Sequence, residues 1–140
     1  MTIRYPQLLT PFELKGKTFR NRFVMSPMTR GQSPGNVPGP DVAAYYGRRA
    51  GEVGMIVTEG VGIDHPSALG NGVVDEGEIP IMAEGAPLDG WRGVVDTVHE
   101  GGALIMPQLW HMGPMRRRCV RRASGDRRAA RWCRRTISKR

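Results

Sequence analysis

Three short apolar runs, each bounded by polar or turn-forming residues, set the pattern of the chain. Runs of four to eight apolar residues are typical of strands in a parallel sheet that is covered on both faces. Pro27 ends the first run, because proline cannot donate to a strand ladder and favours extended geometry in the residue before it. We therefore predict three buried strands, over residues 22–25, 53–59 and 103–111.

Two segments between these strands have the spacing of amphipathic helices. Pro40 suits a first helical turn and Asp41 favours the helix dipole, so the first helix is predicted to begin there and to end near Gly51. The second helix follows residue 88, with Trp91, Val94, Val95 and Val98 on one face. The order strand, helix, strand, helix, strand predicts a parallel α/β sheet with right-handed crossovers.

Two further segments flank this βαβ core. Residues 12–14 and 18–19 alternate around Lys15-Gly16-Lys17, which predicts a small hairpin with Gly16 at positive φ. Residues 60–87 are rich in Gly and Pro, and a loop of this length is usually functional or mobile.

Small or polar residues close the three predicted strands: Ser26 and Thr29, then Glu59 and Gly60, then Gln108. The carboxyl ends of parallel strands converge on one rim of an α/β barrel, so these residues are expected to line one cavity. From spacing alone the simpler interpretation is that the first two cap a strand and Gln108 is a satisfied surface amide.

The segment that opens the first strand also carries a resemblance. Residues 12–22, leading into Ser26-Pro27-Met28-Thr29-Arg30, resemble the start of the Old Yellow Enzyme family, FMN-dependent ene-reductases also known as NADH:flavin oxidoreductase/NADH oxidase. The resemblance runs from about Tyr5 to Pro114. It implies an oxidoreductase that binds FMN non-covalently, takes NAD(P)H as reductant and reduces activated, enone-type alkenes with hydride from reduced FMN.

The family resemblance also implies a fold and site residues. The fold is the first three βα units of a (β/α)8 TIM barrel, truncated because a whole barrel needs about 250 residues, with the hairpin plugging its N-terminal face. Flavin needs apolar walls and a few hydrogen-bonding groups that tune its potential. The implied roles are ring contacts for Ser26, Pro27 and Met28, a hydrogen bond near O4/N5 for Thr29, close ring approach for Gly60, a pyrimidine-edge bond for Gln108 and the substrate side for Trp110.

The implied catalytic residues of the family come from later strands, so none is assigned in this chain. We expect the chain to be an incomplete, inactive fragment. Its unpaired sheet edge is expected to make it oligomeric, aggregating or poorly folded.

Two other kinds of site are weighed against this one. Residues 60–65 half-resemble a dinucleotide fingerprint, but the third glycine is absent and Pro66 argues against an immediate helix. A metal site built from Glu59, His65 and His111 lacks ligand spacing, and no metal is predicted. The strand methionines are predicted to be core: Met25, Met28, Met55 and Met106.

Charge divides the chain in two. Residues 115–140 hold eleven Arg and one Lys against Asp126, or +11, so a net charge of +8 leaves −3 for residues 1–114. We predict a barrel portion over 1–114 and a disordered basic tail over 115–140, which an out-of-frame reading of a GC-rich gene explains most simply. The alternative is a βαβ scaffold whose tail binds nucleic acid by counterion release, although interleaved aromatics are lacking.

Location follows from what the sequence lacks. The start of the chain has no basic and apolar leader, and no apolar run approaches the ~20 residues that span a membrane. Cys119 and Cys133 have neither CxxC nor zinc spacing. We expect a cytoplasmic protein without a membrane or nucleic-acid partner.

Overall fold

The computed structural model describes residues 4–65, 68–69 and 78–111. The predicted basic tail lies outside these residues. The strands are β1 (Phe12–Leu14), β2 (Lys17–Phe19), β3 (Val24–Met25), β4 (Met55–Ile63), β5 (Ile81–Met82) and β6 (Leu104–Trp110). The helices are α1 (Pro40–Ala50) and α2 (Ala86–Glu100), with short 3₁₀ turns at Pro6–Leu9 and Pro34–Asn36.

The N-terminal hairpin is confirmed. Strands β1 and β2 pair antiparallel, with Phe12 opposite Phe19 and their rings stacked at 4.7 Å between centroids. The two turn residues, Lys15 and Gly16, have φ values of 48° and 72°, so both lie in the left-handed region that this tight reversal requires.

Strand β4 is the centre of a four-stranded parallel sheet. β3 pairs with its start, at Met55 and Ile56, and β5 pairs with its end, at Gly62 and Ile63. β6 runs beside β4 from Leu104 to Trp110. The predicted parallel α/β order is therefore confirmed, and β5 is an additional strand in a segment predicted to be loop.

Helices α1 and α2 pack together against one face of this sheet. Their buried side chains include Val42, Tyr46 and Val94, which join Ile56 and Val61 of β4 in one hydrophobic cluster. Trp91 belongs to the same cluster, and its Nε1–H donates to the carbonyl of Ile81 at 3.0 Å. This core holds the carboxyl end of β4 in a fixed place.

The prediction of buried strands is confirmed for β4, in which no residue is exposed, and is wrong for β3 and β6. Phe23, Val24 and Met106 are exposed by 43%, 54% and 52%, and Met28 by 66%, so the predicted methionine core is also wrong for Met28 and Met106. The physical reason is that the two helices cover one face of the sheet only. Val24 and Met106 point to the other face, on which no helix packs in the described part of the chain, and Phe23 precedes β3.

A bulge interrupts β4 beside β6. Val57 is opposite Met106 and Gly60 is opposite Gln108, so β4 has one residue more than β6 over this interval. The extra residue reverses the alternation of side chains, because Ile56 and Val61 both join the helix-facing core. After the bulge, Gly60 and Gly62 face away from the helices, as do their pairing partners Gln108 and Trp110.

Candidate functional site

Glu59 connects the segment after β3 to β4. Its carboxylate is completely buried, and Oε2 accepts hydrogen bonds from the backbone N–H groups of Arg30 at 2.9 Å and Gly31 at 3.3 Å. Met25 is paired with Ile56 at the other end of the segment. Residues 26–29, which contain four predicted flavin contacts, are therefore held alongside residues 57–59 of β4.

Thr58 makes the corresponding connection to β6. Its hydroxyl accepts a hydrogen bond from the backbone N–H of Gln108 at 3.2 Å and donates to the carbonyl of Glu59 at 2.8 Å. Pro107, the preceding residue, has no N–H to offer the ladder at the bulge. The side chain of Thr58 thus replaces a regular ladder bond and fixes the backbone of Gln108 next to Gly60.

The predicted polar contacts are available to a ligand. Ser26 and Thr29 are exposed and Gln108 is half-buried. Within residues 4–65, 68–69 and 78–111, no hydrogen bond engages the side chains of these three residues. Pro27 and Met28 are exposed beside them. The site therefore offers unengaged hydroxyl and amide groups next to apolar surface, which is the kind of surroundings that an isoalloxazine ring requires.

Gly60 is in close contact with an aromatic ring. A Cβ atom at this position would lie 2.3 Å from Cδ2 and Cε2 of Trp110, so only glycine leaves room for the indole. The family resemblance implies this close approach for flavin, whereas in the structure the ring against Gly60 is that of Trp110. Trp110 itself is half-buried and lies one strand position beyond Leu109.

A cationic and aromatic cluster surrounds the Glu59 carboxylate. Arg30 forms an ion pair with it, with Nε 3.4 Å from Oε1, and its guanidinium lies 4.0 Å from the centre of the Tyr45 ring. The hydroxyl of Tyr46 accepts the backbone N–H of Glu59 at 2.8 Å. Burial, with a smaller contribution from the Glu59 charge, raises the pKa of Tyr46 to about 12, so this hydroxyl stays protonated at neutral pH.

Sequence reasoning missed these supporting roles. Glu59 is predicted to be a strand-end group, and neither Thr58 nor Tyr46 receives a role. Glu59 and Gln108 also lie inside their strands rather than at the ends, because β4 continues to Ile63 and β6 to Trp110. A Thr-Glu pair in an apolar strand is the signal that could have found them, since buried carboxylates need partners.

The other site types gain no geometric support. Gly60 and Gly62 lie within β4 and not in a turn from a strand to a helix, as a dinucleotide fingerprint would need. In the described ranges, no three His, Cys, Asp or Glu side chains are grouped to hold a metal ion, and no helix is long and apolar enough to cross a membrane. A shallow depression lined by Asp64, Met82 and Leu88 contains none of the predicted site residues.

Comparison with known proteins gives consistent matches. The model of the NADH:flavin oxidoreductase / NADH oxidase family matches residues 7–125, a range that continues past Pro114. A putative 12-oxophytodienoate reductase 4 of Oryza sativa subsp. japonica is 39% identical over 106 residues, which are 76% of this chain and 26% of the relative. The chain therefore spans about a quarter of the length of such curated relatives.

Solved structures agree with the sequence matches. Morphinone reductase in complex with tetrahydroNAD has a TM-score of 0.69 and 39% identity, over 79% of this chain and 29% of that one. The old yellow enzyme from Trypanosoma cruzi has a TM-score of 0.67 and 34% identity, over 81% and 29%. The chain belongs to the NADH:flavin oxidoreductase / NADH oxidase family, as an N-terminal portion of the Old Yellow Enzyme type.

Proposed function

We propose that this chain forms the flavin-contacting wall of an FMN-dependent ene-reductase. In this proposal its strands are the first of a (β/α)8 barrel, and reduced FMN supplies hydride to an activated, enone-type alkene after reduction by NAD(P)H. The observation that carries the proposal is the placement of three predicted contact segments around the bulge of β4. Arg30, which directly follows residues 26–29, donates its backbone N–H to Glu59, and Gln108 donates its backbone N–H to the neighbouring Thr58.

The residues have separate tasks in this proposal. Ser26, Pro27 and Met28 wall the ring, and Thr29 donates a hydrogen bond near its O4/N5 region. The amide of Gln108 bonds the pyrimidine edge, while Trp110 orients the substrate. Two of these tasks fit side chains that make no hydrogen bond within the described residues, the hydroxyl of Thr29 and the amide of Gln108.

Trp110 also limits how the ring can bind. Its indole contacts Gly60, on the face that Gly60 would otherwise present to the flavin. Close approach of FMN at Gly60 therefore requires the indole to turn away. Such a movement would change the fluorescence of Trp110 when FMN binds.

The proposed function is tested by grafting. Residues 7–111 replace the matching segment of morphinone reductase, and the purified chimera is examined for flavin absorbance and for reduction of an enone with NADH or NADPH. We expect a yellow protein with activity, because the rest of the barrel supplies the catalytic residues. The 140-residue chain alone is expected to bind FMN much more weakly and to turn over no substrate.

A matched pair of variants links the result to the site. Thr29→Val removes the hydroxyl with little change of shape, and Thr18→Val makes the same change in the distant hairpin. We expect Thr29→Val to weaken FMN binding about tenfold, the loss of one hydrogen bond to the ring, and Thr18→Val to leave it unchanged. A folded chimera without flavin would refute the proposed function.

Two finer expectations are tested separately. Cytoplasmic location is tested by fractionation of cells that express the chain. The comparisons favour the flavin enzyme over a nucleic-acid-binding scaffold. Retention on DNA that disappears when residues 115–140 are deleted would reopen that alternative.

A further inference from the structure

We propose that Glu59 is a positioning residue that fixes residues 26–29 through the backbone N–H groups of Arg30 and Gly31. This inference rests on the proposed function for its consequence on flavin, and on the geometry alone for its consequence on the segment. The Glu59 carboxylate makes its hydrogen bonds to Arg30 and Gly31, and not to residues 26–29 themselves. It acts on them by deciding where their backbone runs.

The hydrogen bonds place the main chain more than the arginine side chain. The N–H of Arg30 lies 2.9 Å from Oε2, whereas its Nε lies 3.4 Å from Oε1. Two successive N–H groups that converge on one carboxylate oxygen form a small anion-binding nest. Gly31 has a φ of +61°, a conformation that glycine adopts without strain, so the sequence allows the backbone to turn both groups towards Glu59.

The burial of Glu59 explains why its carboxylate requires these hydrogen bonds. Glu59 is 0% exposed, and a carboxylate in such a place must be matched by donors or a cation. Its donors, the N–H groups of Arg30 and Gly31, directly follow residues 26–29, which are exposed. Because the buried carboxylate requires these donors, we expect it to keep the exposed residues 26–29 next to β4.

The opposite side of the ion pair is fixed by α1. The guanidinium of Arg30 lies over Tyr45 at 4.0 Å and near Tyr46 at 5.8 Å, and the N–H of Glu59 is bound by the Tyr46 hydroxyl. Helix α1 thereby holds both Glu59 and Arg30. In this inference the helix layer behind the sheet sets the position of residues 26–29, through Glu59 and Arg30.

Residue-resolved amide hydrogen exchange on the 140-residue chain tests the inference without any flavin. Glu59→Gln keeps the side-chain volume but removes the charge. We expect the amides of Arg30 and Gly31 to exchange at least about tenfold faster, because hydrogen bonds to charged acceptors are the strong ones. Arg30→Lys keeps both backbone N–H groups and is expected to preserve their protection. Asp89→Asn, at an exposed ion pair on α2, is the matched control and should change nothing at residue 30 or 31.

A second variant covers loss of folding in Glu59→Gln. Gly31→Ala leaves the buried charge in place and meets only the Cβ of Glu78, at 3.9 Å, but strains the backbone at positive φ. We expect the same local loss of protection with unchanged exchange at Val61. Equal protection of Arg30 and Gly31 in the unaltered chain, Glu59→Gln and Gly31→Ala overturns the inference.

The consequence for flavin is measured by the shifts of the amide resonances of residues 26–29 at millimolar FMN. We expect these shifts in the unaltered chain and in Asp89→Asn, and at least about tenfold weaker binding in Glu59→Gln. If the unaltered chain shows no shifts with FMN, the proposed function is contradicted. The exchange data test the positioning role independently of that result. If Glu59→Gln loses the protection of the Arg30 and Gly31 amides but still shows the FMN-induced shifts, positioning by Glu59 is not needed for flavin binding. That result would overturn the proposed consequence for flavin.

Discussion

The two faces of the parallel sheet differ in what covers them. On one face α1 and α2 bury Ile56 and Val61 completely. On the other, Val24 and Met106 are exposed by more than half. The first face supplies hydrophobic stability, and the second presents the predicted flavin contacts. The hydrophobic core and the predicted contacts Gln108 and Trp110 thus lie on opposite sides of one sheet, and the bulge in β4 changes which of its residues face the helices.

The largest expected difference between the faces is in packing. Ile56→Ala should lower the free energy of unfolding by about 2–5 kcal/mol, because it leaves a cavity among the helices. Met106→Ala on the open face should change it by no more than about 0.5 kcal/mol. Urea unfolding followed by circular dichroism measures both. Similar losses for the two variants would show that the open face is covered in solution, as in an oligomer.

The second prediction concerns pH on the buried face. Tyr46 has a pKa of about 12 in the folded chain against 10.0 for the unperturbed group. The unfolded chain therefore releases this proton first, so the contribution of Tyr46 to stability is unchanged below pH 10 and falls between pH 10 and 12, by about 2–3 kcal/mol for a shift of this size.

Unfolding in urea at pH 9 and pH 11.5 measures this loss. Tyr46→Phe is the control, since it has no proton to lose and its own fall shows what the other groups contribute. The prediction is wrong if the free energy of unfolding falls by the same amount in Tyr46→Phe and in the unaltered chain.

The third prediction compares two glycines of α2, one on its packed side and one on its open side. A Cβ on Gly90 would lie 2.3 Å from the carbonyl oxygen of Pro38, whereas a Cβ on Gly93 meets nothing within 4 Å. Gly90→Ala should therefore destabilise the chain by about 1–3 kcal/mol through overpacking. Gly93→Ala should stabilise it by about 0.5–1 kcal/mol through helix propensity. Thermal melts measure whether the two variants change stability in opposite directions, as predicted, or in the same direction, which would contradict the prediction.

The smallest expected effect is at the exposed ion pair of α2. Asp89 and Arg92 are each 67% exposed, with a nitrogen–oxygen distance of 2.6 Å. Asp89→Asn should cost no more than about 0.5 kcal/mol, because water and salt screen such pairs. Denaturation at low and high salt measures this value. A loss as large as that of Glu59→Gln would contradict the distinction between the buried and the exposed pair.

Much of the fold could be predicted from local pattern. The hairpin around Gly16 and both helices follow from turn residues, caps and the spacing of Trp91, Val94 and Val98. The end of β4 and the two residues of β5 could not, because Gly60 and Gly62 resemble a loop until β6 and β5 pair with them. The identities of the candidate site residues could be predicted from the sequence, and the structure describes all of them. Their roles in binding flavin stay predictions.

The sequence by itself determined the order β3, α1, β4, α2, β6, though not β5, and also the family and the types of residue available to hold a flavin ring. Only the tertiary structure decided which face is buried, since one helix layer covers alternate strand residues and leaves the others open. It also decided that the buried carboxylate of Glu59 accepts the backbone N–H of Arg30, and that the hydroxyl of Thr58 accepts the backbone N–H of Gln108. Those connections join positions 29 and 50 residues apart, and such contacts follow from the folded backbone and not from local preference.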